Sequence, residues 1–247
     1  NDLDEFTEDY TMGDTNINVE TIAQQEEKSP SFVETIIPSA QAADDFTTGK
    51  GPETLKKTLN NFTRTGVSFT ENEFITLSKA VGEIESRGSG GKLAVGKSKT
   101  GGIYFGKYQM GKGAIGDSAI DLNEEIPDHK TQPEEYKEWI ETTFLQDEDM
   151  QERYYGAYLN KVNRYLMGVY TKEEVKKNKL SKSLIGKERS PGYVNASTKR
   201  KLEYLAGSQL GMGNIKDCIA GDRSFRDGNK KSISYFINRY KKYRDSK

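Results

Sequence analysis

The chain has 247 residues, of which 33% are hydrophobic and 30% are charged, a polar balance for a wholly globular protein. One domain, or one domain with an extended arm, fits this length. A single cysteine and a single histidine exclude an internal disulfide and a multi-histidine zinc site, and the chain has no run of about 18 apolar residues that could span a membrane. We therefore expect no metal, no cofactor and no membrane span.

The first fifty residues differ in charge from the rest of the chain. They carry twelve Asp and Glu against Lys28 and Lys50, a net charge of −10, whereas the remaining residues hold 35 basic and 26 acidic side chains, a net charge of +9. The acidic segment has few aromatic residues and no sustained apolar period, which predicts an extended, disordered or partner-bound arm. We take residues 1–65 as this acidic arm and linker, and residues 66–247 as the folded domain. A basic domain favours anionic partners, such as cell-wall polymers or nucleic acid.

Apolar periodicity predicts a mainly helical domain. Thr70 to Glu85 is periodic, "TQPEEYKEWIETTF" has a helix start signal with Pro133 in its first turn, and "EDMQERYYGAYLNKVNRYLMGVY" carries an aromatic core stripe. That stripe consists of Met150, Tyr154, Tyr158, Val162, Tyr165 and Leu166. Two more helices are predicted at "NASTKRKLEYLAGSQL" and "SISYFINRYKKY". Between Gly88 and Gly116 the segment "GGIYFGKYQM" alternates weakly, which predicts a short β-hairpin. The fold class is therefore α+β, predominantly α-helical, with a small β-hairpin insertion.

Two glutamates near the end of the first periodic segment face different ways. With Phe74 at zero on a helical wheel and about 100° per residue, the apolar stripe centres near 310°. Glu85 falls at about 20°, on the edge of that stripe, and Glu83 at about 180°, on the opposite face. A carboxyl against apolar surroundings keeps its proton to higher pH, as a general acid must near neutrality. The alternative is that Glu85 only caps the helix or pairs with Arg87.

The segment after Glu85 contains no acidic residue from Ser86 through Gly116, although it contains several lysines. A glycosidase needs a second carboxylate about 5 to 10 Å from its acid. The hairpin cannot supply one. If Glu85 cleaves a glycoside, either a distant residue such as Asp117 assists it, or the substrate supplies its own nucleophile.

Four short motifs follow one another between about Phe74 and Tyr243: "IESRG", "GKYQMGKGAI" about twenty residues later, "FLQDEDMQERYYGAYL" and "LAGSQLGMGNIKDCI". They resemble, in order, the Glu-Ser, Gly-Leu-Met-Gln, Phe-Leu-x-x-x-x-x-Gln and Ala-Tyr-Asn-Ala-Gly-x-Gly segments of lysozyme-like lytic transglycosylases. The version "GxYQxGxxA" is most similar to the peptidoglycan-degrading domains carried by phage tails and virions. The resemblance implies a lysozyme-like domain.

The resemblance implies a role for the first two motifs. Glu85 matches the single catalytic acid, which protonates the glycosidic oxygen between N-acetylmuramic acid and N-acetylglucosamine and then acts as a base. In this family the C6 hydroxyl of the sugar completes the attack and leaves a 1,6-anhydro end, which fits the missing second carboxylate. Ser86 matches the serine that positions the glutamate and the hairpin. Tyr108, Gln109 and Met110 match the Leu-Met-Gln neighbourhood, with Gln109 as the candidate for a substrate hydrogen bond.

The last motif departs from the family pattern at one position. Gln209 and Gly211 fall where the family's Asn and Gly line the cleft, but the family's tyrosine is replaced by Ser208. The hydrogen bond made near the catalytic carboxyl then requires Tyr204 or another tyrosine. Purely structural interpretations also stay open. "GKYQMG" is also compatible with a turn-rich hairpin alone, and "GMG" with a helix end followed by a second helix at "NIKDCI".

These observations predict a peptidoglycan lytic transglycosylase that acts on glycan strands. The resemblance places it in a virion, as a tail or ejected component acting in the bacterial periplasm or cell wall, with the arm bound to other virion proteins. The alternatives are a hydrolytic lysozyme, a bacterial periplasmic enzyme and a catalytically inactive structural virion component. Specific nucleic-acid binding is not expected, because no reading helix or aromatic RNA-binding motif is recognisable.

Overall fold

The computed structural model describes residues 51–86, 91–98, 101–168, 172–177, 189–222, 224–226 and 231–246. All of them belong to one unit, Ser39–Lys247. The predicted disordered arm over residues 1–50 lies outside the described residues. The described part is predominantly α-helical with one small antiparallel sheet, which confirms the α+β class. None of its helices is long and apolar enough to cross a bilayer.

Ten α-helices and a three-stranded sheet follow one another in the described ranges. The first part contains α1 (Gly51–Arg64), α2 (Glu71–Ser86), β1 (Val95–Lys97), β2 (Ile103–Phe105), β3 (Met110–Gly111), α3 (Lys112–Leu122) and α4 (Pro133–Trp139). The second contains α5 (Glu148–Met167), α6 (Lys172–Lys177), α7 (Pro191–Val194), α8 (Thr198–Gly207), α9 (Met212–Ala220) and α10 (Ile233–Asp245). A π-helical turn at Ile140–Phe144 continues α4, and short 3₁₀ turns lie at Gly91–Leu93 and Ser208–Leu210.

Helix α5 is the central element of the core. It begins where Asp147 Oδ1 accepts a hydrogen bond from Met150 N, 2.9 Å away, and it ends at Gly168, whose φ of 66° suits a left-handed cap. Helices α1, α3, α7, α8 and α9 all pack against it. Of the predicted core stripe, Tyr154, Val162 and Leu166 are fully buried, and the other three are partly buried against the same core. The stripe was therefore predicted correctly.

Helix α2 begins and runs as its sequence predicts. Thr70 and Glu73 form a reciprocal capping box, in which Glu73 Oε2 accepts from Thr70 N at 2.9 Å and Thr70 Oγ1 accepts from Glu73 N at 3.2 Å. Phe74, Leu77 and Val81 then follow at helical spacing and are completely buried. This burial fixes the rotation of α2 and so the direction of every residue at its C-terminal end.

The boundary between arm and domain requires correction. We placed residues 51–65 in the arm and linker, but α1 packs along α5 and contributes Leu55 and Phe62 to the core. The contact is close at Gly156 of α5, where a Cβ atom would lie 2.8 Å from Thr58 Oγ1. Because the preceding segment is acidic, α1 was grouped with it, although the apolar face of α1 packs against α5.

The predicted hairpin is a three-stranded antiparallel sheet in the order β1-β2-β3. Gly96 pairs with Tyr104, and Tyr104 pairs with Gly111. The third strand and α3, which follows it directly, were not predicted. The helix predicted over "TQPEEYKEWIETTF" is also shorter as an α-helix, because its second half is the π-helical turn.

Helices α8 and α10 are joined by one carboxylate. Glu203 accepts hydrogen bonds from Arg244 Nη1 at 2.8 Å and from Arg200 Nη1 at 2.5 Å, and Lys241 Nζ lies 3.7 Å away. Burial alone raises the pKa of Glu203, but the two arginine hydrogen bonds outweigh it, so the pKa is lowered. The carboxylate is thus more stable in the folded state than in the unfolded chain.

The close contact between α1 and α5 predicts the direction in which a substitution at Gly156 changes the free energy of unfolding. Gly156→Ala should lower the free energy of unfolding by about 1–3 kcal/mol, because the new methyl overlaps the branched side chain of Thr58. In a Thr58→Ala background the same substitution should be neutral or stabilising by up to about 1 kcal/mol, because alanine is the better helix former. Urea unfolding of the four proteins measures both values. Equal effects in the two backgrounds would contradict the packing of α1 on α5.

The joined charges of α8 and α10 give a pH-dependent prediction. Glu203→Gln should lower the free energy of unfolding by about 2 kcal/mol near neutral pH, because it removes two charge-assisted hydrogen bonds. A carboxylate with a lowered folded-state pKa contributes stability above its unfolded-state pKa, about 4.5, and loses it on protonation below. The difference between wild type and variant should therefore shrink as the pH falls from about 7 to about 3. A difference that does not change with pH in denaturant unfolding would refute this account.

Candidate active site

The C-terminal turn of α2 separates its two glutamates as helical phase predicts. Glu83 is exposed, whereas Glu85 is half-buried. Ser86, predicted to position the glutamate and the hairpin, donates its hydroxyl to Gly82 O at 2.7 Å within its own helix. Arg87, the alternative partner of Glu85, lies outside the described residues. Glu85 is therefore the carboxyl that the fold directs toward neighbouring elements.

The turn between β2 and β3 packs on this end of α2. A Cβ atom at Gly82 would lie 3.1 Å from Cε and 3.3 Å from Cγ of Lys107, so the stem of Lys107 lies directly against the helix backbone. Residues three apart share one face of a helix, so Gly82 and Glu85 lie on the same side of α2. The turn is consequently packed against the side of α2 that carries Glu85.

A buried charge cluster anchors that turn to α5. Lys107 is 6% exposed and Glu152 is 1% exposed, and their Nζ and Oε1 atoms are 2.6 Å apart. Glu148 Oε1 lies 3.4 Å from the same Nζ, and the Tyr108 hydroxyl donates to Glu152 Oε2 at 2.5 Å. Burial, followed by the charge of Glu152, raises the pKa of Tyr108 well above its ordinary value. The phenol therefore stays protonated and acts as a permanent donor to the carboxylate.

Two stacked tyrosines connect the turn to the last motif. The rings of Tyr108 and Tyr155 are 3.9 Å apart at their centroids and 7° from parallel. Gln209 Nε2 donates to the Tyr155 hydroxyl at 2.9 Å. Burial raises the pKa of Tyr155 well above its ordinary value, and the negative charge of Glu85 raises it further. The structure thus brings Tyr108, Tyr155 and Gln209 together, and Tyr155 lies within electrostatic reach of Glu85.

Tyr155 is a phenol within electrostatic reach of Glu85. Ser208, which replaces the family's tyrosine, is buried, donates to Leu205 O at 2.7 Å and accepts at its own carbonyl from the Tyr158 hydroxyl at 2.7 Å. Tyr204 packs its ring against Tyr193, with 6.1 Å between centroids, and lines a separate cleft. The serine is therefore accommodated by internal hydrogen bonds.

Gly211 marks the boundary between the 3₁₀ turn at Ser208–Leu210 and α9. Its φ of 101° lies in a region that side chains rarely adopt, so the chain requires glycine there. The helix that we considered at "NIKDCI" is the body of α9. The glycine has this structural role whether or not it also lines a cleft.

The three residues that match the Leu-Met-Gln neighbourhood differ in exposure. Tyr108 and Met110 are buried in the core, so their side chains support the site from within instead of presenting a contact surface. Gln109 is half-buried and has a φ of 47°, a strained value for a residue with a side chain. Its Nε2 donates to Gly106 O at 2.8 Å and to Ala94 O at 3.4 Å. Of the three, Gln109 alone carries a side chain that could reach a ligand.

Gln151 holds three segments around the turn. Its Oε1 accepts from Lys107 N at 2.9 Å, and its Nε2 donates to Lys92 O and to Phe144 O, each at 3.0 Å. No local sequence pattern marks Gln151, Glu152, Lys107 or Tyr155 as a site residue. The one available signal is the resemblance of "FLQDEDMQERYYGAYL", in which Gln151 is the glutamine of the resembled motif.

The other carboxylates considered near the site are already engaged. Asp117, the distant candidate, forms an ion pair with Lys161, and Glu152 is held by Lys107 and Tyr108. No three His, Cys, Asp or Glu side chains of the described residues are grouped so as to hold a metal ion. Two surface clefts, of about 440 and 370 Å³, lie between α8, α9 and α10 and between α2, α8 and α10, and none of the predicted site residues lines either.

Comparison with known proteins assigns no family. No family model matches the chain, and neither the curated proteins nor the solved structures include a significant match. The resemblance of the four motifs to lytic transglycosylases therefore stays a prediction. The candidate site depends on the geometry around Glu85.

The strained backbone of Gln109 gives a matched prediction. Gln109→Gly and Gln109→Ala both remove the amide, but only glycine adopts a positive φ without strain. The glycine variant should therefore be more stable to urea than the alanine variant by about 1 kcal/mol. An alanine variant as stable as the glycine variant would mean that the turn does not hold this conformation.

Proposed function

We propose that this protein cleaves the β-1,4 bond between N-acetylmuramic acid and N-acetylglucosamine in peptidoglycan by a lytic transglycosylase mechanism. Glu85 is the single acid in this proposal. It protonates the glycosidic oxygen, then accepts the proton of the sugar's C6 hydroxyl as that oxygen attacks the anomeric carbon. The leaving chain keeps the first proton, and the products are a 1,6-anhydro end and a new hydroxyl end.

The observation that carries the proposal is the placement of Glu85. Glu85 is half-buried at the end of α2, while its neighbour Glu83 on the same helix is exposed. A half-buried carboxyl is a better proton donor near neutral pH than an exposed one, because desolvation disfavours its charged form. The turn that carries Gln109 packs on the same side of α2, through Lys107 and Gly82. An acid and a candidate substrate-binding amide therefore belong to one packed unit.

The surrounding charges favour a mechanism with one carboxylate. Asp117 and Glu152 each have a cationic partner, and the segment from Ser86 through Gly116 contains no acid. A nucleophile supplied by the substrate removes the need for a second free carboxylate. A hydrolytic lysozyme, in which water attacks instead of the C6 hydroxyl, is the alternative within the same site.

The cellular setting of the proposal follows from the motif resemblance and the charge. We place the protein in a virion, as a tail or ejected component that acts on the periplasmic cell wall, with residues 1–50 bound to other virion proteins. The net charge of +9 on the rest of the chain suits an anionic wall polymer. A bacterial periplasmic enzyme is the alternative setting, and an inactive structural virion component is the alternative role suggested by Ser208.

The test is digestion of purified peptidoglycan followed by mass analysis of the fragments. Wild type should release fragments with 1,6-anhydro ends, and Glu85→Gln should lower the rate by at least about 10²-fold, because loss of a general acid costs about 10² to 10⁴. Glu83→Gln is the matched control, because it makes the same change two residues away on the exposed face of α2. It should cleave at a rate close to wild type.

The other outcomes separate the alternatives. Reducing ends in place of anhydro ends would leave the hydrolytic lysozyme. A folded wild-type protein that releases no fragments would leave the structural virion component. Equal losses in the Glu83 and Glu85 variants would mean that the helix end, rather than the carboxyl of Glu85, matters for activity.

A further inference from the structure

An exposed tyrosine lies on the small sheet that carries Gln109. Tyr104 is in the central strand β2 and is 39% exposed, which is unusual for a large aromatic side chain among the described residues. Its partners on both sides are glycines, Gly96 in β1 and Gly111 in β3. No side chain on either neighbouring strand therefore stands beside it.

The glycines leave the space in which the Tyr104 ring lies close to the sheet. A Cβ atom at Gly111 would be 3.7 Å from Cε1 of the ring. A Cβ at Gly102, two residues earlier in the chain and therefore on the same face, would be 3.0 Å from the Tyr104 hydroxyl and 3.2 Å from Cε2. Both edges of the ring thus lie close to glycine backbone, and the residue is still 39% exposed.

The carboxamide of Gln109 lies next to this ring on the same face. Directly opposed residues in antiparallel strands project to one face, so a Cβ at Gly96 would point the same way as Tyr104. That Cβ would lie 2.0 Å from Gln109 Oε1, which means that the amide occupies the space above Gly96. The two bonds from Nε2 to Gly106 O and Ala94 O fix its orientation. Within the described part of the chain, Oε1 itself accepts no hydrogen bond.

We propose that Tyr104 and Gln109 form a glycan-binding subsite, in which one pyranose ring stacks on Tyr104 and donates a hydrogen bond to Gln109 Oε1. This inference depends on the proposed function. Its new element is the stacking on Tyr104, which the motif resemblance does not assign, whereas Gln109 is already a candidate substrate donor or acceptor in that resemblance.

A sugar fits these two groups better than other ligands do. A pyranose ring has an apolar face of axial C–H groups, which packs on a flat aromatic ring, and a rim of hydroxyl or N-acetyl N–H donors. A fixed acceptor beside the ring selects a ligand with a donor at its edge, because a purely apolar ligand would leave Oε1 desolvated and unpaired. The amide also gives a reason for the strained φ of Gln109.

The test measures binding of a soluble N-acetylglucosamine tetramer by calorimetry in a Glu85→Gln background, which prevents turnover. Tyr104→Ala should weaken binding about tenfold, equivalent to about 1.4 kcal/mol, whereas Tyr104→Phe should bind within about twofold of the parent because it keeps the ring. Tyr104→Leu keeps apolar bulk without a flat face and should behave like the alanine variant. Tyr235→Ala removes a similarly exposed tyrosine, 38%, from α10 and should have no effect. Thermal unfolding of each variant checks that it is folded.

The outcomes distinguish this inference from the proposed function. Unchanged binding by the folded alanine and leucine variants would overturn the subsite, even if the wild-type protein cleaves peptidoglycan. Weaker binding by these variants, in a protein that releases no fragments from peptidoglycan, would support the subsite and overturn the proposed cleavage. A folded parent that does not bind the tetramer would overturn the subsite. An equal loss with Tyr235→Ala would also overturn it, because the effect would not be specific to the ring on the sheet.

Discussion

The buried ion pair between Lys107 and Glu152 is the constraint on which the candidate site depends. Burying each charge alone would cost several kcal/mol, so neither residue is stable in its position without the other. Their pairing fixes the β2–β3 turn against α5, and the stem of Lys107 fixes the same turn against Gly82 of α2. The stacking of Tyr108 on Tyr155 and the position of Gln109 follow from that placement. The Lys107–Glu152 ion pair therefore positions the residues of the candidate site without itself having to act in the proposed reaction.

What the sequence predicted correctly lies within single elements. The rotation of α2 depends on a local apolar period, so Glu83 and Glu85 could be told apart from about a dozen residues. The Lys107–Glu152 pair joins positions 45 apart, and no local pattern marks it, because a lysine in a turn and a glutamate on a helix both look like solvated side chains. The motif predicts Met110 as a substrate-binding residue, but a short motif does not show whether a side chain is buried. Helix α1 was assigned to the arm because its partner face belongs to α5, about a hundred residues later in the chain.

Ser208 stands where the resembled motif has a tyrosine, and it is buried in the core. The Ser208 hydroxyl donates to Leu205 O. A phenol from α5, that of Tyr155, lies within electrostatic reach of Glu85. The proposed acid, Glu85, lies at the end of α2. The proposed glycan-binding residues lie on other elements, Tyr104 in β2 and Gln109 in the β2–β3 turn. The β2–β3 turn connects the sheet to α2, because Lys107 of the turn packs on Gly82.

The hydrogen bonds of Gln151 limit local separation of the small sheet from α5. One side chain satisfies the amide of Lys107 and the carbonyls of Lys92 and Phe144. The sheet therefore cannot lift from α5 without breaking the bonds to Lys107 and Lys92, while the bond to Phe144 holds the Gln151 amide in position. Separation would also break the ion pairs of Lys107 with Glu152 and Glu148. Local opening of the sheet therefore requires these bonds to break together, so backbone hydrogens of the turn should exchange with solvent more slowly than those of an unanchored turn. For a small sheet at the edge of a helical body, such rigidity comes from its side-chain anchors rather than from its few strand hydrogen bonds.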